Sequence, residues 1–386
     1  MNLIIVEVKA HNAGHYTQEI NQFCKNIQSN FDNIFILTPY GFRDEWDVVN
    51  NCRVESLCQI NRNDRALLSV ILGKLYDYQW EFYKRAHNYI SELLNDEYII
   101  HVWDYTSIFP LWYFFRRFKK KKILNLKAVN RYRINLFGIK NLGKIQGLIS
   151  NKLLTNFADK YIVHTNEISY EAEKIGIAKE KIYQIGIGVE EFSINLSQSI
   201  ARSLLNLPNN IFIILFFGTI REEKGIYELF EHIKELNNDF ILHIVGENKL
   251  SEPLTELIKK YNLETEIIIE PNFIPEQELE KYFKAADAVI ICHRKEFKGE
   301  SGVLLKALQY QTPIIASVGS NSARIVETEN IGATFDISKP GNLINAITYI
   351  EHNKKQIESN LGMTKQKYSW KNIITSFQSL YFSRRV

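Results

Sequence analysis

The sequence predicts an α/β protein of two doubly wound, Rossmann-like domains, and three observations carry that prediction. Unbroken runs of Ile, Val, Leu and Phe recur along both halves of the chain, segments of helical spacing separate them, and 386 residues are too many for one ordinary hydrophobic core. Apolar runs without polar alternation are what parallel strands need when helices cover both faces of their sheet. With 45% hydrophobic and 24% charged residues, the composition is that of a globular protein and not of a disordered or fibrous chain.

Taken in order, the first half offers NLIIVEV (2–8), NIFILTP (33–39), YIIHVW (98–103), KILNLKAV (122–129) and KYIVHT (160–165) as strands. Helical spacing over 15–30, 66–95 and 166–176 separates them. The second half repeats the logic with FIILFFG (212–218), FILHIVG (240–246), EIIIEPNF (266–273), AVIICH (288–293) and PIIASVG (313–319). The polar stretch NLSQSIARSLLNLPNN at 195–210 is the predicted linker, giving domains of 1–194 and 195–366.

IFIILFF at 211–217 is far shorter than the roughly 18 residues of a membrane span, so it reads as a buried strand. The opening MNLIIVEVKA lacks a basic leader and places Glu7 and Lys9 directly after a short apolar run, as a first strand does and a signal peptide does not. A cytoplasmic protein is the expectation. Cys24, Cys52, Cys58 and Cys292 form no C-x-x-C pair or His/Cys cluster, so they read as buried thiols and no metal site is expected. The formal net charge is only +3, but no acidic residue lies between Asp104 and Asp159. That interval holds Arg116, Arg117, Lys119, Lys120, Lys121, Lys122, Lys127, Arg131, Arg133, Lys140, Lys144 and Lys152.

Ligands of open α/β sheets bind beyond the carboxyl ends of the strands, so the connections there are where chemistry is expected. In LFFGTIREEKGIYELFEHI (215–233) a buried strand ends at Gly218, Arg221 and Lys224 follow, and helical spacing resumes at Ile226, Leu229 and Phe230. Two cations at such a turn can neutralise a diphosphate, Arg through its fork and Lys as a point charge, or they can simply be solvated. In FKGESGVLLKALQYQTPIIAS (297–317), Ser301 is placed to cap a helix whose first N–H groups, at Gly302, Val303 and Leu304, suit an anion.

These segments resemble, in order and spacing, the retaining glycosyltransferases of the GT-B fold, close to glycosyltransferase family 4. FFGTIREEKG is similar to the family's glycine, basic pair and Lys-Gly signature. YIVHTNEISYEAEKIGIAKEKIYQIGIGVEEF (161–192), NFIPEQELEKYFKAADAVIICH (272–293) and KALQYQTPIIASVGS (306–320) resemble its later strands and helices. YSWKNIITSFQSLYF (368–382) resembles the aromatic helix that crosses back to the first domain, implying that about 367–386 pack there.

The resemblance implies two Rossmann-like domains facing across a cleft and transfer of a sugar from a nucleoside-diphosphate donor to a glycan or lipid-linked saccharide, with retention of configuration and without a metal or other cofactor. It assigns Arg221 and Lys224 to the leaving diphosphate, Gly218 and Gly246 to the donor side, and Phe273 and Ile274 to the nucleobase, although Phe273 also suits a core. Two family glutamates fall at Lys298 and Lys306, neither a carboxylate. Glu300 is the expected replacement, near the transferred sugar. Lys306 either donates to the donor or lies on the exposed side of a helix whose buried face is Val303, Ala307 and Tyr310.

Gly14, His15, His101 and Asp104 are expected on the acceptor side, although His101 also suits a buried position in its strand, with Trp103 standing where the family often has a second histidine. The aromatic and basic residues 112–133, beginning in FPLWYFFRRFKKKK, fit an anionic membrane surface at the inner face of the cell membrane. The competing readings are a helix with core aromatics and solvated lysines, or nucleic acid, for which no recognised module is present. A catalytically inactive glycan- or nucleotide-binding protein and a sugar-nucleotide epimerase of the same fold are the alternative functions.

Overall fold

A computed structural model describes residues 1–8, 16–40, 46, 49–59, 78–93, 97–104, 108–116, 118, 121–126, 140–191, 194–236, 240–293, 301–339 and 341–382. The chain divides into two compact units, Met1–Gly188 with Trp370–Val386, and Val189–Ser369. No helix among the described residues is long and apolar enough to cross a membrane.

The first unit runs β1 (Asn2–Glu7), α1 (Tyr16–Ile27), β2 (Ile34–Tyr40), β3 (Cys52–Gln59), α2 (Tyr78–Glu92), β4 (Tyr98–Asp104), α3 (Ile108–Phe115), β5 (Lys122–Asn125), α4 (Lys140–Thr155), β6 (Lys160–Val163), α5 (Asn166–Lys174) and β7 (Ile182–Gln184). Its described strands form one parallel sheet in the order β3-β2-β1-β4-β5-β6-β7. Leu3 pairs with Ile34 on one side of β1 and with Ile99 on the other. Every residue of β1 and β4 is buried, because helices cover both faces of the central strands.

The second unit runs α6 (Gln198–Leu204), β8 (Phe212–Phe217), α7 (Ile226–Lys234), β9 (Phe240–Val245), α8 (Leu254–Tyr261), β10 (Ile267–Glu270), α9 (Leu279–Ala285), β11 (Ala288–Ile291), α10 (Gly302–Tyr310), β12 (Ile314–Ser317), α11 (Asn321–Glu329), β13 (Gly332–Phe335) and α12 (Leu343–Lys367). Its parallel sheet has the order β10-β9-β8-β11-β12-β13. In each sheet the winding direction reverses beside the first strand, between β1 and β4 and between β8 and β11. α13 (Trp370–Phe382) closes the chain and belongs to the first unit.

The predicted linker is not an open connection. Residues 198–204 form α6, and the Arg202 guanidinium is buried against the Asp287 carboxylate at 2.5 Å while donating to the carbonyls of Ala285, at 2.9 Å, and Asn209, at 2.8 Å. A buried guanidinium requires that many acceptors, and they fix α6 to its own unit.

α13 is held by an aromatic cluster and by its carbonyls. The Phe377 ring stacks on Trp103 at 6.2 Å, and Phe23 packs edge-on against Phe377 at 4.9 Å. Lys121 Nζ donates to the carbonyls of Leu380 (3.0 Å) and Tyr381 (2.7 Å), and Lys160 Nζ donates to Leu380 (2.7 Å), which suits cations at a helix carboxyl end. Beneath them the Tyr381 hydroxyl donates to His101 Nδ1 at 2.5 Å, and His101 Nε2 donates to Asn125 Oδ1 at 2.8 Å. Burial, first, lowers the His101 pKa to about 4.

A neutral His101 is therefore part of the fold, and its depressed pKa means the unfolded chain binds the extra proton between pH 6.5 and about 4. Its contribution to stability is complete above pH 6.5 and is lost as the pH falls towards 4. Chemical denaturation across that range is expected to show a decline that His101→Gln reduces, leaving the part due to His293, likewise lowered to about 4. At pH 7, Tyr381→Phe is expected to cost about 1–2 kcal/mol. A pH slope identical in wild type and His101→Gln would exclude this role.

Candidate donor site

The carboxyl ends of β8 and β9 meet without side chains. Gly218 N–H donates to Val245 O and Gly246 N–H to Glu270 O, each at 2.9 Å. Both glycines have positive φ, +92° and +135°, and a Cβ on Gly246 would stand 2.4 Å from the Gly218 carbonyl oxygen. Only glycine permits this backbone approach. Beyond it, Ile220 N–H donates to Glu247 O and Lys249 N–H to Ile220 O, so the two connections are zipped together.

The chain then makes a short 3-10 turn at Glu222–Lys224 and enters α7 through Gly225, whose φ is +65°. This turn sends Lys224 back over the strand end. Its Nζ donates to Phe217 O at 3.3 Å and lies 3.0 Å from where a Cβ on Gly218 would be. An ammonium has three donors, so others remain for a ligand. Burial, assisted by the Arg221 charge and opposed by Glu223, lowers the Lys224 pKa to about 8.

Lys224 shares a recess with Phe217, His293, Ser301 and Val303. His293, just past β11, is kept neutral at pH 7 because burial and then the Lys224 charge push its pKa to about 4. Its carbonyl accepts from Ser317 Oγ at 2.6 Å, fastening the turn to β12. Across the recess, α10 begins at Gly302, and first-turn N–H groups of a helix have no partner within the helix.

The structure thus gathers Gly218, Lys224, Ser301, Gly302 and Val303, with Gly246 closing the neighbouring strand end. Ser301 occupies the residue before α10, but its side chain makes no capping hydrogen bond, correcting the expected cap; it is buried in the recess wall instead. Arg221 is not equivalent to Lys224. Its side chain is 56% exposed and lies 3.6 Å from Glu223, so it acts on Lys224 through the field and is the outer cation of the two.

The exposed-face reading of Lys306 does not hold. It forms an ion pair with Glu276, its side chain only 19% exposed. Ala307 and Tyr310 are buried as expected, whereas Val303 is half-buried and faces the recess. Phe273 is 70% exposed, which rules out its core reading, and Ile274 packs half-buried on the core.

The acceptor-side assignment of His101 is corrected. Its ring is fully buried and both nitrogens are bonded within the fold, so it presents no atom to a ligand. Asp104 is 1% exposed at the end of β4, opposite the equally buried Glu7. Trp103 is core, its Nε1 donating to Glu19 Oε1 at 3.1 Å. Gly14, His15, Lys298 and Glu300 lie outside the described residues.

Within residues 112–133, Leu111 and Phe115 flank the region from the core side, Trp112 and Phe114 are half-buried, and Tyr113 is exposed. Arg116 stacks over Trp112 and Tyr113 at 4.5 and 4.6 Å. Lys121 is committed to α13 and Lys122 Nζ to Phe118 O at 3.2 Å, so these two are not part of an open basic face. Arg117, Lys119, Lys120 and 127–133 lie outside the described residues.

Sequence reasoning passed over His293 and Glu276. His293 had a signal, since it ends the AVIICH run at the carboxyl end of a strand. Glu276 had none, because only the fold brings it to Lys306. Among the described residues no group of His, Cys, Asp and Glu is placed to hold a metal ion.

Residues 198–370 match the family model described as glycosyl transferases group 1. TuaC of Bacillus subtilis (strain 168), named for a glycosyltransferase role in teichuronic acid biosynthesis, is 26% identical over 210 residues. That alignment covers 52% of this chain and 50% of TuaC, so the match spans about half the length of the curated relative. Among solved structures, sucrose-phosphate synthase from Thermosynechococcus elongatus superposes with a TM-score of 0.74 at 19% identity, covering 98% of each chain. Anabaena HepE in complex with UDP-glucose gives 0.71 at 16% identity and 99% of each chain. A glycosyltransferase from Rickettsia africae gives 0.71 at 16%, over 98% of this chain and 97% of that one. In fold over nearly its whole length, and in sequence over residues 198–370, the chain resembles the GT-B glycosyltransferases of the glycosyl transferases group 1 family.

Proposed function

We propose that this chain is a glycosyltransferase of cell-surface polysaccharide biosynthesis, acting at the cytoplasmic side and moving a hexosyl group from a nucleoside-diphosphate sugar to a glycan or lipid-linked saccharide. The observation that carries this reading is Lys224 turned back over Gly218, in one recess with the start of α10. That arrangement offers an ammonium and unpaired helix N–H groups to one anion, which is the demand of a departing diphosphate. The name of TuaC supports the polysaccharide setting, and UDP-glucose bound to HepE supports a uridine donor.

In the proposed reaction the bond from the anomeric carbon to the diphosphate oxygen breaks, and one to the acceptor oxygen forms on the same face. Lys224 and the α10 N–H groups stabilise the leaving charge, Arg221 adds a screened contribution from outside, and the acceptor proton passes to the departing phosphate. These groups supply the electrostatic role without a metal. Phe273, exposed beside β10, is the proposed platform for the base.

A peripheral membrane contact is also proposed, on a smaller surface than the sequence suggested. Tyr113 on α3 is 42% exposed, and Leu148 and Ile149 on the adjoining α4 are 71% and 53% exposed. With Arg116, and with the exposed Lys152 of α4, they suit an anionic interface.

Calorimetry with UDP tests the site. Lys224→Met is expected to weaken binding at least about tenfold, as loss of a charged hydrogen bond does, and Arg221→Ala only a few-fold, as befits an exposed charge. Unaltered UDP affinity in Lys224→Met, or no binding of uridine, adenosine or guanosine diphosphate by the wild type, would falsify the assignment.

Because the anion needs the protonated lysine, wild-type affinity for UDP should be flat from about pH 7, above the phosphate's own titration at about pH 6, up to about pH 8 and fall above it. Lys224→Arg should keep a flat profile to pH 9.5, since guanidinium does not titrate there. Equal declines in both proteins would assign the titration to another group.

Co-sedimentation with phosphatidylglycerol vesicles, and not with phosphatidylcholine vesicles, is expected, weakened by Leu148→Asp with Ile149→Asp. Binding that survives the double change would place the contact elsewhere.

A further inference from the structure

The Lys306–Glu276 pair joins α10 to the segment after β10, with side chains 19% and 29% exposed. Such a pair sheds much of its hydration for a small return in stability, so packing alone gives little reason for it. Its position offers one. Lys306 follows Gly302 by one turn on the same face of α10, about 6 Å of rise beyond the anion end of the helix. Glu276 leaves the carboxyl end of β10, two strands from β8 and beyond the exposed Phe273. Lys306 thus stands one turn from the recess lined by Ser301 and Val303, at the distance along α10 where the sugar next to a bound phosphate would lie.

Lys306 carries donors only, and an ionised carboxylate carries acceptors only. Glu276 can thus accept from the two hydroxyls of a ribose, which a lysine cannot do. Its Oε1 takes the bond from Lys306, which fixes the carboxylate while Oε2 keeps acceptor capacity for a hydroxyl. Resting on the diphosphate site above, we infer that Glu276, oriented by Lys306, reads the ribose diol of the donor nucleotide.

The test compares UDP with 2′,3′-dideoxy-UDP by calorimetry. The wild type is expected to prefer UDP by about tenfold or more, the scale of a hydrogen bond to a charged group. Glu276→Ala should bring the ratio to within about twofold of unity, whatever the freed Lys306 does to both ligands alike, and Glu276→Gln, which keeps one acceptor, should fall between. An unchanged ratio in both variants, or equal weakening of both ligands, overturns the inference while leaving the diphosphate site standing. Absence of binding by either ligand to the wild type overturns both.

Discussion

A lysine held over a strand end where no side chain can stand is the constraint on which the second unit's chemistry depends. Lys224 reaches Phe217 O only because Gly218 leaves the space and Gly246 lets the next strand end close against it. The enclosure that positions the ammonium also strips its water, which is why its pKa descends to about 8. A group in that state gains more from an arriving anion than a solvated one, because much of its desolvation has already occurred. His293 reports the same environment with the same sign: burial, and then the Lys224 charge, disfavour its protonation, and a diphosphate would relieve the second of these.

Arg221 and Lys224 show how two cations of one short motif come to differ. The 3-10 turn between them points one back to the sheet and leaves the other outside with Glu223. Arg221 interacts through water and salt, so its effect is screened, whereas Lys224 acts at contact. Residue identity alone had made them equal partners. Their separation is a consequence of Gly225, where a left-handed turn ends the 3-10 segment and starts α7.

Most strands were legible because most are interior. Continuous apolar runs announced β1, β2, β4, β8, β9, β11 and β12, each flanked on both sides. The strands that sequence reading passed over, β3, β7 and β13, are edges of their sheets, where half-buried positions dilute the apolar signal. β10 is also an edge but was found, its three isoleucines being enough. The linker stretch misled because one of its polar residues, Arg202, is a buried anchor whose partner Asp287 lies 85 residues away. The same limit explains the site. Gly218 and Lys224 fall within one local turn and could be found, whereas His101 was assigned to chemistry because Tyr381, 280 residues on, was invisible beside it.

On the proposed reading, ion pairing accounts for a lysine on the helix face beside the donor without making the site uniformly basic. A lone Lys306 would add a second cation beside Lys224 and draw the phosphates along α10, blurring the position of the bond to be broken. Pairing with Glu276 cancels that charge locally and leaves Lys224 as the half-buried cation at the recess. The proposed diphosphate would then meet the uncompensated charge of Lys224, while the paired charges one helical turn away largely cancel where an uncharged sugar would lie. Focusing of this kind would need the carboxylate as much as the lysine, so on the proposed reading Glu276 helps to place the phosphate even though it repels phosphate itself.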